Sequence, residues 1–426
     1  MHEPDQPILD QRPGPYLPRE EVEVVKSRKK LWLLSLGVLV VVAALGLWLV
    51  KRPTHKNTPA QSSKSTTRQQ PAKSGDISLI ATGDFIAHDS LNQQAKRSDG
   101  SYDYLQFMSD FKPVFGAADI RFCNQATVSG GESFGISGYP VFNAPTQFAK
   151  DMAGLGCNLV NTASNHSFDK GQAAIDATLK TWSGLDGMLA VAGENSSQAE
   201  HDTIHYFNLK GLKFAFLAYT TYNNQTPPNS YGVNQYSESF AASQISAAKA
   251  AGAKFIIVSM RWGTEYSADI NSEQKTESQF LADQGVNLVL GHGPHELETV
   301  KWLNGTSGNK TLVWYSLGNF INTQEPAETL FNGLAVLKID PKTLEIKNPS
   351  YLPIYMHYEW TAAQAKSEDL LSRHDLHLYL LDDVTQSMID KNQLNTTVVA
   401  QKQRIEALLN ANTPIPLITK SQYFSN

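Results

Sequence analysis

Five short polar clusters carry the residues in this chain that could do chemistry. Gly83-Asp84 is followed by His88, Asn165-His166 by Asp169 and Gly171, and Arg261-Trp262-Gly263 by Glu265. Gly291-His292-Gly293-Pro294-His295 sets two imidazoles around a proline, and Gly318-Asn319 adds an amide. Asp, Asn and His together are the ligands expected for zinc, manganese or iron. A divalent cation held by them would lower the pKa of a bound water and polarise an ester or amide oxygen. Each cluster alone also reads as an ordinary turn, so the signal lies in their number and placement. Nucleophilic routes have less support. There is no G-x-S-x-G elbow and no Walker A loop, and neither Cys123 nor Cys157 has a His partner nearby in sequence.

The elements that must position these clusters are legible as short apolar runs. Runs at 77–82, 157–161, 213–219, 254–260, 286–290, 311–316 and 333–340, bounded by Gly, Asp or Asn, fit buried strands. Helical stretches at 145–155, 171–184, 239–252 and 273–284 lie between several of them. Strand–helix alternation argues for an α/β layered domain. Five of the strands run directly into the five polar clusters. Ligand sites of α/β sheets form at the carboxyl ends of strands, so the clusters are expected to converge on one sheet edge. Beyond 345 the pattern weakens, and 346–426 is expected to form a mainly helical extension.

Composition bounds the function classes. The 426 residues are 41% apolar and 18% charged, which excludes a disordered chain. Net charge is −5, distributed as zero over residues 1–30, +6 over 51–75 and −11 over the remainder. An acidic body of that size excludes nucleic acid as a partner, because phosphate binding needs clustered Lys and Arg. Two cysteines exclude a zinc-finger framework. Two reduced, buried thiols are the expected state, with one disulfide as the alternative in an oxidising compartment.

Residues 31–50 carry no charge and have Trp32 and Trp48 near their ends. About 20 such residues span a hydrocarbon core of about 30 Å, and Lys51-Arg52-Pro53 follows instead of a small-x-small cleavage site. The run reads as one retained transmembrane helix in the lipid bilayer. Residues 1–30 are then cytoplasmic and 51–75 form a basic Ser/Thr/Gln-rich tether. The large domain, 76–345, is expected outside a cell membrane crossed once.

The motifs ATGDFIAHDS (81–90), YPVFNAP (139–145), NLVNTASNHSFDKG (158–171), SMRWGTEY (259–266), GVNLVLGHGPHELE (285–298) and YSLGNFI (315–321) resemble the CapA/PgsA family of bacterial capsule and poly-γ-glutamate biosynthesis. The resemblance implies the calcineurin-like metallophosphoesterase fold, a four-layer α/β/β/α sandwich. It also implies partners among the other subunits of a polymer synthase or export complex, and an anionic cell-surface polymer as ligand. Carried over by position, the family's ligating residues fall on Asp84, Asn165, His166 and His295.

Three positions depart. Ala126 stands for a carboxylate, Arg261 for an imidazole, and Gly293 for the His before Pro-His. Two cations about 3.5–4 Å apart need an anionic bridge, and a guanidinium at the same place opposes them. A full two-metal centre is therefore not expected. A site for one Mn, Fe or Zn ion remains open, using Asp84, His166, His295 and His292, with His88, Asp169 and Glu265 in support. In the non-catalytic reading no metal is bound, Asp84 and Arg261 form an ion pair, and Arg261, Trp262 and Asn319 contact a carboxylate-rich polymer. In the alternative, an active hydrolase cleaves a phosphoester or amide of a surface polymer, with Asn165 and His166 steadying the developing charge.

Overall fold

A computed structural model of the protein describes residues 75–425. Its strands, in chain order, are β1 (Ile77–Phe85), β2 (Ile120–Gln125), β3 (Leu159–Asn161), β4 (Ala190–Ala192), β5 (His205–Leu209), β6 (Leu212–Thr220) and β7 (Phe255–Arg261). They continue as β8 (Leu288–His292), β9 (Val300–Asn304), β10 (Lys310–Trp314), β11 (Asn319–Ile321), β12 (Phe331–Ile339), β13 (Ile346–Glu359) and β14 (His374–Leu380). One sheet runs β14-β13-β12-β1-β2-β3-β4, with β11 also beside β1. The other runs β5-β6-β7-β8-β10-β9. The strands that lead into the polar clusters, β1 and β3 in the first sheet and β7, β8 and β10 in the second, lie within runs of parallel neighbours, β1-β2-β3-β4 and β6-β7-β8-β10.

Alternation along β6 shows how the layers stack. Phe214, Phe216 and Ala218 belong to the core shared with the first sheet, and the rings of Phe122 on β2 and Phe216 meet edge to face at 6.0 Å. Ala215, Leu217 and Tyr219 point the other way. They pack against Ala241, Ile245 and Ala248 of helix Glu238–Ala250 and Leu281 of helix Ser272–Asp283. Both faces of β6 are therefore apolar, which is why its run is continuous and does not alternate with polar residues. The outer face of the first sheet meets helix Thr146–Leu155, where Phe148 lies against Phe85. The result is an α/β sandwich of two sheets with helices on its outer faces. Truncating Phe216, fully buried between the sheets, would cost about 3–5 kcal/mol.

The segment after 345 differs from expectation. β13 and β14 extend the first sheet from β12, so the expected domain boundary at 345 falls inside a continuous sheet. Helices do follow, at Gln386–Lys391 and Val398–Asn410. The cysteines also differ from expectation. Cys123 and Cys157, with Cα atoms 5.8 Å apart, form a disulfide that ties β2 to the turn before β3. Among the described residues no helix is long and apolar enough to cross a membrane. The apolar run 31–50, with its flanks, lies outside them.

Candidate functional site

The sheet register brings the amides and carboxylate together. Asp84 pairs in register with Asn319 on one side and Asn124 on the other, and Asn124 pairs with Asn161. Four polar side chains thus stand level across the strand ends. Asn124 donates its amide to Asp84 Oδ1 at 2.6 Å, and Asn161 in turn donates to Asn124. Asp84 is buried, which opposes its ionisation. The hydrogen bond from His295 and the fields of His295, His292 and Arg261 outweigh that and hold its pKa below the ordinary value.

The second sheet faces this row with Arg261 at the end of β7 and His292 at the end of β8, paired in register. His292 is fully buried and stacks on Phe122 at 5.3 Å. Burial drives its pKa down to about 4, with Arg261 adding to the effect and Asp84 opposing it. Neither ring nitrogen has a hydrogen-bond partner, and Nδ1 lies 3.7 Å from Asp84 Oδ1. His295 sits at φ +64°, a left-handed conformation that aims its ring back across the gap. Its Nδ1 faces Asp84 Oδ2 at 3.2 Å and Asn319 Oδ1 at 3.1 Å, so Nδ1 carries the proton and donates to both.

Arg261 is buried and its guanidinium is engaged. Nε donates to Asn165 Oδ1 at 2.9 Å, Nη2 to Glu265 Oε1 at 2.7 Å, and the plane packs over Tyr222 at 4.8 Å. Burial alone would lower its pKa, but Tyr222, Glu265 and Asp84 raise it. Glu265, opposed by burial, is held below its ordinary value chiefly by Arg261.

A third wall comes from the loop after β3. His166 Nδ1 donates to Asp169 Oδ2 at 2.7 Å, and that oxygen also accepts from the Phe142 backbone at 2.6 Å. The carboxylate therefore fixes the ring and leaves Nε2 facing Asn224, whose amide is 3.3 Å away. His88 packs edge-on against Phe142 and accepts the Thr323 N–H at Nδ1, 3.2 Å away. Burial drives its pKa to about 3, helped by His295, Arg373 and His166.

The five clusters do converge, but on facing strand ends of two sheets and not on the one sheet edge expected. Some assignments made from sequence need correction. Asp84 does not pair with Arg261, whose carboxylate partner is Glu265. Trp262 is fully buried, with its indole donating to the Tyr315 carbonyl at 2.7 Å, so it has no face for a ligand. Asn319 is also buried and holds His295 in place while donating to Gln324 at 2.7 Å. Tyr222, Asn224 and Asn161 were missed as contributors. Asn161 closes a strand and was legible as such, but Tyr222 and Asn224 lie in a loop with no periodic signal.

The site fits a two-cation centre poorly. Ala126 belongs to a small apolar patch with Ile86 and Phe142. Gly293 has no room for a side chain, because a Cβ there would run into the Arg261 guanidinium. One feature suits a single cation, the pair of unpartnered nitrogens on His292 beside Asp84. Among the described residues, the one group of three His or carboxylate residues whose ligand atoms lie within 4.8 Å of one another is elsewhere, at Glu359, His374 and Asp375. There Glu359 already accepts from Lys391 at 2.8 Å, as a solvated ion pair does.

These observations define an α/β protein with a polar site assembled at the ends of parallel strands from both sheets. Residues 78–324, more than half of the chain, match the bacterial capsule synthesis protein PGA_cap family, and the chain belongs to that family. It is 30% identical over 178 residues to the PGA biosynthesis protein CapA of Bacillus subtilis, covering 41% of this chain and 45% of that protein. It is 26% identical over 226 residues to the capsule biosynthesis protein CapA of Bacillus anthracis, covering 49% and 53%. The chain thus matches about half the length of these relatives. The NAD nucleotidase NadN of Haemophilus influenzae is a loose structural likeness, at 14% identity and a TM-score of 0.42 over 70% of this chain and 62% of that one.

Proposed function

We propose that this protein handles an anionic capsule polymer of the poly-γ-glutamate kind at the outer face of a cell membrane, without two-metal hydrolysis. The observation that carries the reading is Arg261, which fills the strand-end site with a permanent cation bonded to Asn165 and Glu265. A buried guanidinium beside Asp84 supplies the positive charge that a second metal would otherwise bring. The run 31–50 acts as a single-pass anchor and 51–75 as a tether, with other subunits of a synthase or export complex as partners. The disulfide Cys123–Cys157 supports an oxidising, extracytoplasmic location for the domain.

One observation favours a second reading, a hydrolase with one divalent cation. His292 is neutral, buried and unpartnered beside Asp84, as a ligand nitrogen would be. Asp84, His292 and His295 would hold the ion, which would supply an activated water. Asp169 orients His166 toward the gap whether or not an ion is bound.

Replacement of the chromosomal copy separates the two. With Asp84→Ala or His166→Ala, the first reading expects polymer yield near wild type, while deletion of the gene abolishes it. Loss of polymer in both point variants at normal protein level would favour the hydrolase.

A further inference from the structure

The second buried arginine beside the strand-end site is Arg373, which lies beyond the residues that match the family. Its guanidinium packs over Tyr358 at 4.8 Å and over Trp360 at 4.6 Å, and Nη1 donates to the Thr323 carbonyl. The N–H of the same Thr323 donates to His88, so this arginine is one residue removed from the candidate site. Unlike Arg261, it is not fully engaged. Nε and Nη2 are buried with no hydrogen-bond acceptor. The nearest carboxylate oxygen, Glu325 Oε1, is 3.3 Å from Nη2 without hydrogen-bond geometry, and the Glu325 side chain is 51% exposed. A buried cation that leaves two of its donors unmet is costly unless something else meets them.

Glu325, Tyr358 and Trp360, the side chains around this guanidinium, also line a cavity of about 430 Å³, together with Asn392, Asn395 and Thr396; Arg373 itself is buried behind that wall, so a ligand reaches it only where Glu325 gives way. The aromatic rings hold the guanidinium plane fixed, since Tyr358 donates to the Gln324 carbonyl at 2.9 Å and Trp360 to the Asn392 carbonyl at 2.8 Å. A fixed planar fork with Nε and Nη2 free matches a carboxylate bidentately. Glu328, the other acid on the cavity wall, lies in the field of Arg404.

We propose that Arg373 is a carboxylate-binding group, masked in the free protein by Glu325, and that a carboxylate of an acidic ligand replaces Glu325 on its guanidinium. The inference deepens the polymer-handling reading and rests on it for the identity of the ligand as a glutamate polymer. It also explains how an acidic body binds a polyanion: the contact is one pre-formed fork, and the repelling surface is left out of it.

The test uses the full chain in detergent and titration calorimetry with C-terminally amidated pentamers: γ-linked glutamate, α-linked glutamate, and a γ-linked isoglutamine chain whose α-carboxylates are amides. Wild type is expected to bind the glutamate pentamers but not the isoglutamine one. Glu325→Gln, at an exposed position that does not threaten folding, should bind several-fold tighter because the competing carboxylate is gone. Arg373→Gln should bind about tenfold or more weakly. Unchanged affinity in Arg373→Gln, or no gain in Glu325→Gln, would overturn the proposal. Binding of the α-linked pentamer alone, lost in Arg373→Gln, would uphold the carboxylate site and count against the γ-glutamate assignment.

Discussion

The guanidinium of Arg261 occupies the space that a side chain at residue 293 would need. Gly293 sits at φ +117°, and a Cβ there would collide with Arg261 Nη1 and with the Trp262 carbonyl. Residues 261 and 293, 32 positions apart in the chain, thus share one packing constraint. A side chain at 293 therefore requires the guanidinium at 261 to move or be removed.

That coupling is measurable. Gly293→His alone should destabilise the protein by about 2–4 kcal/mol, from the clash and the left-handed backbone. Combining it with Arg261→His should cost less than the sum of the two single changes, since the guanidinium is no longer in the way. The Trp262 carbonyl remains, so the recovery is partial. Thermal denaturation of the four proteins reads the cycle, and strict additivity would break the link.

His292 makes an acid-side prediction. Its folded pKa, about 4, lies below the ordinary 6.5, so between those values the unfolded chain binds the extra proton. Its stabilising effect is complete above about pH 6.5 and is lost as pH falls toward 4, with a slope of at most about 1.4 kcal/mol per pH unit. His88, depressed to about 3, adds a similar slope. Melting temperature against pH should therefore be flatter over this window in His292→Gln than in wild type, without becoming level.

Glu298 acts in the opposite direction. It is fully buried, accepts from Gln274 at 2.6 Å, and has Oε1 unpartnered. Burial, helped by Glu296 and Asp269, pushes its pKa up to about 8. A raised carboxyl stabilises fully below its unfolded value and loses that effect as pH rises through 8. Glu298→Gln, neutral at every pH, should be more stable than wild type by about 1–3 kcal/mol above pH 8 and nearly equal to it near pH 5. A constant difference across this range would contradict the assignment.

The disulfide closes a loop of 34 residues between β2 and the turn before β3. Reduction, or Cys123→Ala with Cys157→Ala, should lower stability by about 2–4 kcal/mol. Denaturant unfolding with and without reductant checks this, and the double variant should not respond to reductant.

How much of this was legible beforehand follows from side-chain pattern. Strands buried on both faces, such as β6 and β7, announce themselves as continuous apolar runs. β13 hid because its sequence IKNPSYLPIYMHYE carries two prolines and a polar start, and β14 because HDLHLYL mixes histidines into an alternating edge. That polar residues after parallel strands gather was readable, but Asp84, Asn165 and His166 follow strands of one sheet and Arg261, His292 and His295 follow strands of the other, so their meeting depends on how the two sheets face each other. What each does with its polar atoms was not readable. Trp262 had an adjacent motif that suggested ligand contact, yet the Tyr315 carbonyl takes its donor. The pairing of Cys123 with Cys157 depends on β2 lying beside β3, and the mixed residues of β2 concealed that strand.

The central claim, that the strand-end site works without a two-metal centre, is tested most directly by metal content. The full chain, purified in detergent without chelator and analysed by mass spectrometry for Mn, Fe and Zn, should carry well under one ion per chain. Asp84→Ala should carry no less. Two ions per chain, lost together in Asp84→Ala and accompanied by phosphodiester hydrolysis, would contradict the account.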